Sequence, residues 1–190
     1  MKTDKKLLWK DIERKKLQSC RIFDLYEVKR ISPVGRERSF FLLDAPDWIT
    51  VIPVLKNDEG IECFLMVEQF RHGSSKLTLE FPAGIVDKDE SPENAALREL
   101  KEETGYRAGK ITELGAVSPN PAFMNNSTYT FAAFDLELTD IQHLDDDEFI
   151  HFHLIPVSTV EKEMGTGRYS NGVMMMALAY YKRWLTLGKQ

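Results

Sequence analysis

Residues 84–106 read GIVDKDESPENAALRELKEETGY, and this stretch decides how the rest of the chain is interpreted. Ser91 is a residue type that often caps the start of a helix, and Pro92 suits the first helical position. Gly105 is typical of the position that ends a helix. The pattern therefore predicts an α-helix of about thirteen residues between Ser91 and Gly105, preceded by a glycine-containing loop.

Three glutamates of the predicted helix share one side. Because an α-helix turns by about 100° per residue, Glu99, Glu102 and Glu103 fall within an arc of about 100°. Like charges at this spacing repel by roughly 0.2–0.5 kcal/mol per pair, so helix stability does not explain the arrangement. Mg²⁺ and Mn²⁺ prefer such oxygen ligands, and the adjacent Arg98 can orient a carboxylate through a forked hydrogen bond. A solvated acidic helix face is the alternative interpretation.

The fixed residues of this stretch resemble the signature of the Nudix hydrolases. Gly84 is followed after five residues by Glu90, and after seven more by the run RELKEETGY from Arg98 to Tyr106, which matches every fixed position. With each residue type near about one in fifteen, a chance match is on the order of one in a million. The resemblance implies an α/β fold, namely the Nudix α/β/α sandwich with a mixed sheet, and metal-dependent attack on a diphosphate bond.

A second resemblance narrows the substrate class. The segments EQFR, from Glu68, and LEFPAG, from Leu79, are similar to the branch of the family that acts on ADP-ribose and nucleoside diphosphate sugars. Pro121 lies fifteen residues after Tyr106, as a proline does in that branch. Residues 120–126 depart from the commoner ADP-ribose pattern, so nucleoside diphosphate sugars stand beside ADP-ribose as expected substrates. The implied products are a nucleoside monophosphate and a sugar phosphate.

Two other functions remain open at this point. A non-catalytic Nudix module would sense such a ligand without cleaving it, but such modules tend to lose motif glutamates, and here all four are present. A nucleoside triphosphate pyrophosphohydrolase is the other alternative. The segment from Arg71 to Gly84 and the proline at 121 argue against it.

The resemblance also implies a metal site. Glu99 and Glu103 would be the principal ligands, Glu102 a further ligand or a residue that holds water, and the carbonyl of Ala83 a backbone ligand. Mg²⁺ is the expected ion, with Mn²⁺ as an alternative, and it would bridge the phosphates of the substrate.

Supporting roles follow from the same resemblance. Arg98 would orient Glu99 or Glu102, Glu90 would brace the loop through backbone amides, and Gly84 and Gly105 would shape the motif.

The resemblance to this branch of the family implies that the general base comes from a loop beyond the motif. Glu148 is the candidate, with Asp146 and Asp147 as substitutes, and a solvated turn is the alternative interpretation. Arg71 is expected to bind a phosphate bidentately, with a structural ion pair to Glu80 as the alternative, and both residues are counted as substrate-binding.

A proline- and amide-rich loop is expected to line the substrate pocket. Phe123 can stack on a base or sugar, and Asn125 and Asn126 can discriminate hydroxyl patterns, next to Pro121. Asparagines that bond their own backbone are the alternative.

The remaining segments predict mainly strands. Residues 1–18 carry seven basic residues against three acidic ones and are expected to form a solvated, partly frayed lead-in. An antiparallel β-hairpin follows at 20–29 and 39–43, so residues 1–45 are expected to form an N-terminal extension and 46–190 the Nudix domain. The resemblance to the family branch implies a dimerisation role for the extension. Further predicted strands are 48–55, with Pro53 at an edge or bulge, 61–69, 110–118, 127–137 and 149–155. Helices are expected at 157–164 and 173–187, the latter with a core stripe of Met174, Met175, Leu178, Tyr181 and Leu185.

Composition bounds the partners. The chain has 190 residues, 43% of them apolar, which suffices for one domain with its own core. A net charge of −5 argues against nucleic acid as a partner and is compatible with a small anion held through metal. No apolar run resembles a signal peptide or a membrane span, and two cysteines fit a reducing cytoplasm. The family branch further implies a homodimer.

Overall fold

The computed structural model of the chain describes residues 5–144 and 148–188. These residues form two compact units. The first, called here the N-terminal unit, contains the chain up to Pro46 together with Ser118–Ser127. The second, called the Nudix unit, contains Asp47–Val117 and the chain from Thr128 onward. Ser118–Ser127 thus groups with the N-terminal strands rather than with its neighbours in sequence.

The described residues contain ten strands and three α-helices. The strands are β1 (Lys10–Ser19), β2 (Asp24–Ile31), β3 (Glu37–Asp44), β4 (Trp48–Lys56), β5 (Glu62–Arg71), β6 (Lys76–Glu80), β7 (Ala83–Ile85), β8 (Tyr106–Val117), β9 (Thr128–Leu138) and β10 (His151–Pro156). The helices are α1 (Pro92–Thr104), α2 (Val157–Glu163) and α3 (Gly172–Thr186), with short 3-10 turns at Lys5–Leu7 and Gly167–Tyr169. No helix within the described ranges is long and apolar enough to cross a lipid bilayer.

The N-terminal unit is a three-stranded antiparallel sheet in the order β1-β2-β3. The predicted hairpin is present as β2 and β3, but the expectation of a frayed lead-in is wrong, because residues 10–19 form the strand β1. Ion pairs join the strands of the sheet: Arg30 of β2 contacts Asp11 of β1 at 2.6 Å, and Lys29 of β2 contacts Glu37 of β3 at 2.7 Å. Every residue of β1 is exposed, so no buried face imposed the alternation that identifies a strand from sequence.

The Nudix unit is built on a seven-stranded mixed sheet in the order β10-β5-β4-β9-β8, with β6 paired to β5 and β7 to β4. Strands β4 and β9 are parallel, and the other pairs are antiparallel. The position predicted for Pro53, at an edge or bulge, is wrong because β4 is central. Pro53 is the last residue of β4 paired with β9, and pairing with β5 begins at Val54, so a missing N–H is tolerated there.

Helices cover both faces of this sheet. Ala95, Ala96 and Leu100 of α1 pack on one face with side chains of β4 and β9. On the opposite face, α2 and α3 pack on β4, β5 and β9. This arrangement confirms the α/β/α sandwich that the resemblance implied.

The core stripe of α3 differs in part from the prediction. Met174, Leu178 and Tyr181 are buried as expected, whereas Met175 and Leu185 are exposed. Ala177 and Trp184 take their places against the core. Geometry explains Met175, which lies about 100° around the helix from Met174 and so off the face formed by residues 174, 177, 178 and 181. Leu185 lies on that face by its spacing, but it is in the last turn of α3 and is exposed there.

Candidate metal and active site

Helix α1 begins and ends at the residues that its caps predict. The Asn94 N–H donates to the Ser91 hydroxyl at 3.2 Å, which satisfies one of the free amides of the first turn. Gly105 adopts a left-handed conformation with φ of 76°, and its N–H donates to the Lys101 carbonyl at 2.7 Å. These caps fix the helix register, and the register decides where the three glutamates point.

The three glutamates differ in depth. Glu103 is only 3% exposed, the Glu99 side chain is 15% exposed, and the Glu102 side chain is 40% exposed. The first two therefore lie in a partly dehydrated setting, in which a carboxylate needs a donor or a cation to stay ionised. Glu102 remains in contact with solvent.

Glu103 is the most perturbed of the acidic groups. Burial, and next the negative charge of Glu99, raise its pKa well above the usual range, although the Ala83 N–H donates to its Oε2 at 3.2 Å. Burial also raises the pKa of Glu99, and the charge of Arg98 partly offsets this. Neighbouring carboxylates thus raise the pKa of both groups, Glu99 acting on Glu103 and Glu102 on Glu99, and a divalent cation would stabilise their ionised forms.

A glycine makes room for one of these carboxylates. A Cβ atom at position 84 would lie 2.0 Å from Oε1 of Glu99. The backbone of β7 therefore approaches the Glu99 carboxylate more closely than any other residue type would allow. Ala83, whose carbonyl is a predicted ligand, precedes this glycine in β7 and pairs with Thr50 of β4.

Arg98 lies at the centre of a carboxylate network. Its Nη1 donates to Glu99 at 2.8 Å and to Glu102 at 3.0 Å, and its Nη2 donates to the Ile85 carbonyl at 3.0 Å. Glu90 accepts from Nε at 3.1 Å and from Nη2 at 3.0 Å, and the hydrogen bond to Arg98 lowers its pKa. The arginine thus joins the loop before the helix to two of its three site glutamates.

Arg71 and Glu80 form the ion pair that was the alternative interpretation for them. Nη2 of Arg71 lies 2.6 Å from Oε2 of Glu80, and Nε donates to both carboxylate oxygens. The Thr78 hydroxyl, which the sequence did not single out, donates to Oε1 of Glu80 at 2.6 Å. Burial alone would raise the pKa of Glu80, but its hydrogen bond and charge contact with Arg71 outweigh burial and lower it.

Exposure separates the roles that these two residues can have. Glu80 is fully buried and bonded to Arg71, and its contact with substrate stays a prediction. The side chain of Arg71 is 40% exposed, so in contrast to Glu80 it stays partly in contact with solvent. Its Nε and Nη2 already donate to Glu80.

Glu148 lies within electrostatic reach of the site. Its negative charge contributes to the raised pKa of both Glu99 and Glu103, and it also raises the pKa of Arg71. The residues proposed as its substitutes, Asp146 and Asp147, lie outside the described residues.

The predicted pocket loop belongs to the N-terminal unit. A cavity of about 300 Å³ in this unit is lined by Pro121, Phe123 and Asn125, together with Arg14 and Arg30. Two arginines beside aromatic and amide groups suit an anionic or aromatic ligand.

The two asparagines of this loop behave differently from the prediction. Asn126 does not line the cavity: it is 3% exposed, and its Nδ2 donates to the Pro46 carbonyl at 3.0 Å. Asn125 lines the cavity, but its Nδ2 also donates to Asp44 at 2.5 Å. Asn126 is thus bonded to a backbone carbonyl, and its role in substrate binding stays a prediction.

The residues offer the oxygen ligands that a hard divalent cation prefers, but their side chains are not arranged around a common metal position. Within residues 5–144 and 148–188, no three Asp, Glu, His or Cys side chains are already gathered closely enough to hold a metal. Glu99 and Glu102 instead contact Arg98, which occupies oxygens that a metal would use. The donor set is nevertheless suitable, since buried Glu103, Glu99 and a nearby backbone carbonyl all offer the oxygen ligands that Mg²⁺ and Mn²⁺ prefer.

Known proteins resemble this chain in sequence and in fold. Residues 47–173 match the family model described as the NUDIX domain. The ADP-ribose pyrophosphatase of Bacillus subtilis is 37% identical over 147 residues, which cover 77% of this chain and 77% of that protein. The ADP-sugar pyrophosphatase of Mus musculus is 48% identical over 107 residues, 52% of this chain and 49% of the mouse protein, so this match spans about half of the relative.

A solved structure supports the fold. The crystal structure of an ADP compounds hydrolase superposes with a TM-score of 0.83, covering 98% of this chain and 100% of that chain at 22% identity. This likeness concerns the fold alone, whereas the match of the family model extends over more than half of the sequence and includes the whole glutamate motif. The chain therefore belongs to the Nudix family.

Proposed function

We propose that the chain hydrolyses the diphosphate bond of ADP-ribose or of a nucleoside diphosphate sugar, releasing a nucleoside monophosphate and a sugar phosphate. The single observation that carries the proposal is the pair of carboxylates of buried Glu103 and half-buried Glu99, held on one helix beside Ala83 and Gly84. Names of the two sequence relatives, which are pyrophosphatases of ADP-ribose and of ADP-sugars, support this substrate class.

Mg²⁺ is the proposed ion, with Mn²⁺ able to replace it. Glu99, Glu103 and the Ala83 carbonyl would hold it, and Glu102 would join them once released from Arg98. When bound, a divalent cation polarises phosphoryl oxygens and makes a bound water a better nucleophile. Arg98 would orient the Glu99 and Glu102 carboxylates, because it already donates to both.

Glu148 is the proposed general base. Hydrolysis forms a P–O bond from a water molecule and breaks the bridging P–O–P bond, and the leaving phosphate carries away the electron pair of that bridge. The water must lose a proton in this step, and a carboxylate near the metal ligands can accept it. The influence of Glu148 on the pKa of Glu99 and Glu103 supports its placement for this task.

Arg71 is proposed to bind a substrate phosphate through its partly exposed side chain. Glu80 and Thr78 would act through Arg71, since both bind or support the buried side of the ion pair. This division assigns Glu80 a positioning role in place of direct substrate contact.

The N-terminal unit is proposed to mediate a homodimer and to supply ligand-binding residues from its cavity. Trp9 and the residues of β1, including Ile12 and Leu17, expose apolar side chains in the single chain. Apolar residues on an uncovered sheet are typical of a surface that another chain covers. A small-molecule nucleotide derivative, rather than nucleic acid or membrane, is the proposed partner, and the cytoplasm is the proposed location because Cys20 and Cys63 are free thiols.

The test is turnover on a panel of ADP-ribose, GDP-mannose, ADP-glucose and UDP-glucose with Mg²⁺, read as phosphate released after added phosphatase. We expect at least one of these substrates to be cleaved to a monophosphate, and Glu103→Gln to lower kcat by orders of magnitude, about 10³-fold or more. Glu93→Gln is the matched control, because Glu93 is exposed in the first turn of the same helix. Near-normal turnover by Glu103→Gln, or no cleavage of any panel member by the wild type, would overturn the proposal.

A further inference from the structure

The chain that leaves β9 runs across the end of helix α1. The N–H groups of Thr139 and Asp140 donate to the Gly105 carbonyl at 3.1 and 3.2 Å, and the His143 N–H donates to the Glu102 carbonyl at 2.9 Å. The last carbonyls of a helix have no partner within it. This segment therefore caps the motif helix at the end that carries the metal-site glutamates.

Gln142 makes a contact of another kind within this segment. Its Nε2 donates to the Glu103 carbonyl at 2.6 Å and to the Ile150 carbonyl at 3.3 Å. Ile150 is 5% exposed and immediately precedes β10, so its position is fixed by packing. One side-chain amide thus ties the backbone of the most buried site glutamate to the backbone two residues after Glu148.

The surroundings of Glu148 explain why such a tie matters. Glu148 is exposed, lies outside the helices and strands, and stands two residues before Ile150. Its carboxylate nevertheless acts on Glu99 and Glu103 electrostatically. A catalytic base has to be held to within a fraction of an ångström, because a misplacement of about 1 Å can cost about 10²-fold in rate.

We infer that Gln142 is a positioning residue for the general base: its amide clips the start of β10 to the Glu103 backbone and so fixes the distance between Glu148 and the metal-site carboxylates. This inference rests on the proposed function, since it takes Glu148 as the base. The sequence did not single out Gln142, because a lone glutamine after a strand carries no recognisable signal. If Gln142 only capped helix α1, its replacement would lower the stability of the protein but would not selectively slow the chemical step.

The test replaces Gln142 by Met, which has a similar length and no N–H donor, and by Ala as a second variant. Ile141→Ala is the matched control, because the Ile141 side chain is 74% exposed next to Gln142. We expect both Gln142 variants to lower kcat about 10- to 100-fold with KM changed less than about threefold. The control is expected to keep wild-type kcat and KM.

A double-variant cycle with Glu148→Gln tests whether Gln142 affects kcat through Glu148. If Gln142 acts through Glu148, then Gln142→Met in the Glu148→Gln background should lower kcat by less than about twofold more. An equal fall in both backgrounds would overturn the inference, and so would wild-type kcat in Gln142→Met. A weaker affinity for Mn²⁺ alone in Gln142→Met, measured by calorimetry without substrate, would also overturn it by pointing to Glu103 instead.

The same cycle separates failure of this inference from failure of the proposed function. If Glu148→Gln retains wild-type kcat, the assignment of the base is wrong and the inference falls with it. If Glu148→Gln is impaired and Gln142→Met is not, only the inference is wrong. Thermal unfolding of each variant identifies any loss of kcat that comes from a smaller folded fraction.

Discussion

Gly84 lies directly against Glu99: a Cβ atom built on the glycine would sit 2.0 Å from Oε1 of the glutamate. The Glu99 carboxylate is itself held by Nη1 of Arg98 at 2.8 Å, so it cannot retreat without breaking that bond. A glycine in the loop thereby determines where a predicted metal ligand lies.

Gly84→Ala is therefore expected to displace the Glu99 carboxylate. We predict a fall of kcat/KM by about 10²-fold or more and a weaker affinity for Mn²⁺, because misplacing a ligand by about 1 Å has effects of this size. Steady-state kinetics and calorimetric titration with Mn²⁺ measure the two effects. Gly73→Ala is the control, since nothing lies within 4 Å of a Cβ there. Equal activity of the two variants would refute the steric argument.

Burial of Glu103 predicts a stability effect that is separate from activity. Its pKa is raised in the folded protein above the ordinary value of 4.5, so the folded state binds the proton more tightly than the unfolded state does. The stability that this group contributes is therefore fully present below about pH 4.5 and is lost as the pH rises through the folded pKa. Glu103→Gln removes the ionisation, and we expect it to raise the metal-free Tm at pH 8.

The pH dependence of this increase in Tm tests whether the pKa of Glu103 is raised. The difference in Tm between Glu103→Gln and the wild type should shrink as the pH falls from 8 toward 4.5, measured by calorimetry in a chelating buffer. Glu93→Gln, which changes an exposed charge of the same helix, should show no such trend. A variant less stable than the wild type at every pH would contradict the raised pKa.

The ion pair of Arg71 and Glu80 allows structure and binding to be separated. Arg71→Met leaves the fully buried Glu80 without its cation, and we expect a loss of about 3 kcal/mol in the free energy of unfolding. Adding Glu80→Leu removes the buried charge and should recover most of that loss, as measured by urea denaturation. If Arg71 also binds phosphate, the double variant Arg71→Met, Glu80→Leu should recover stability but keep a KM above that of the wild type. Wild-type KM in the double variant would make the pair purely structural.

The exposed sheet of the N-terminal unit predicts self-association. Light scattering at micromolar concentration should give twice the mass of one chain, because β1 and Trp9 leave apolar side chains uncovered. Charged substitutions at Ile12 and Leu17 should shift the mass toward one chain. If the wild type has the mass of one chain, the proposed dimer is wrong, and the proposed hydrolytic site is unaffected.

Local signals made the motif helix predictable, whereas distant contacts made other features unpredictable. Ser91, Pro92 and Gly105 act within one or two turns of the chain, so the bounds of α1 can be read directly from the sequence. The strand β1 was missed because none of its residues is buried and its identity depends on pairing with β2.

The same distinction holds for the site. The spacing of the glutamates places them on one side of α1, but their unequal burial depends on the sheet against which the helix packs. Gln142 bonds a carbonyl 39 residues away, and Asn126 bonds one 80 residues away. Neither contact leaves a trace in the local sequence, so neither the bonds of Gln142 nor the bond of Asn126 to Pro46 could be anticipated.

The central claim is that Glu99 and Glu103 seat a divalent cation beneath the substrate's diphosphate. Its most direct test is an anomalous difference map from crystals soaked in Mn²⁺ with a non-hydrolysable analogue of ADP-ribose. We predict a peak bound by the Glu99 and Glu103 carboxylates and by an oxygen of the analogue's diphosphate. A bound analogue with no peak at these two glutamates would contradict the account.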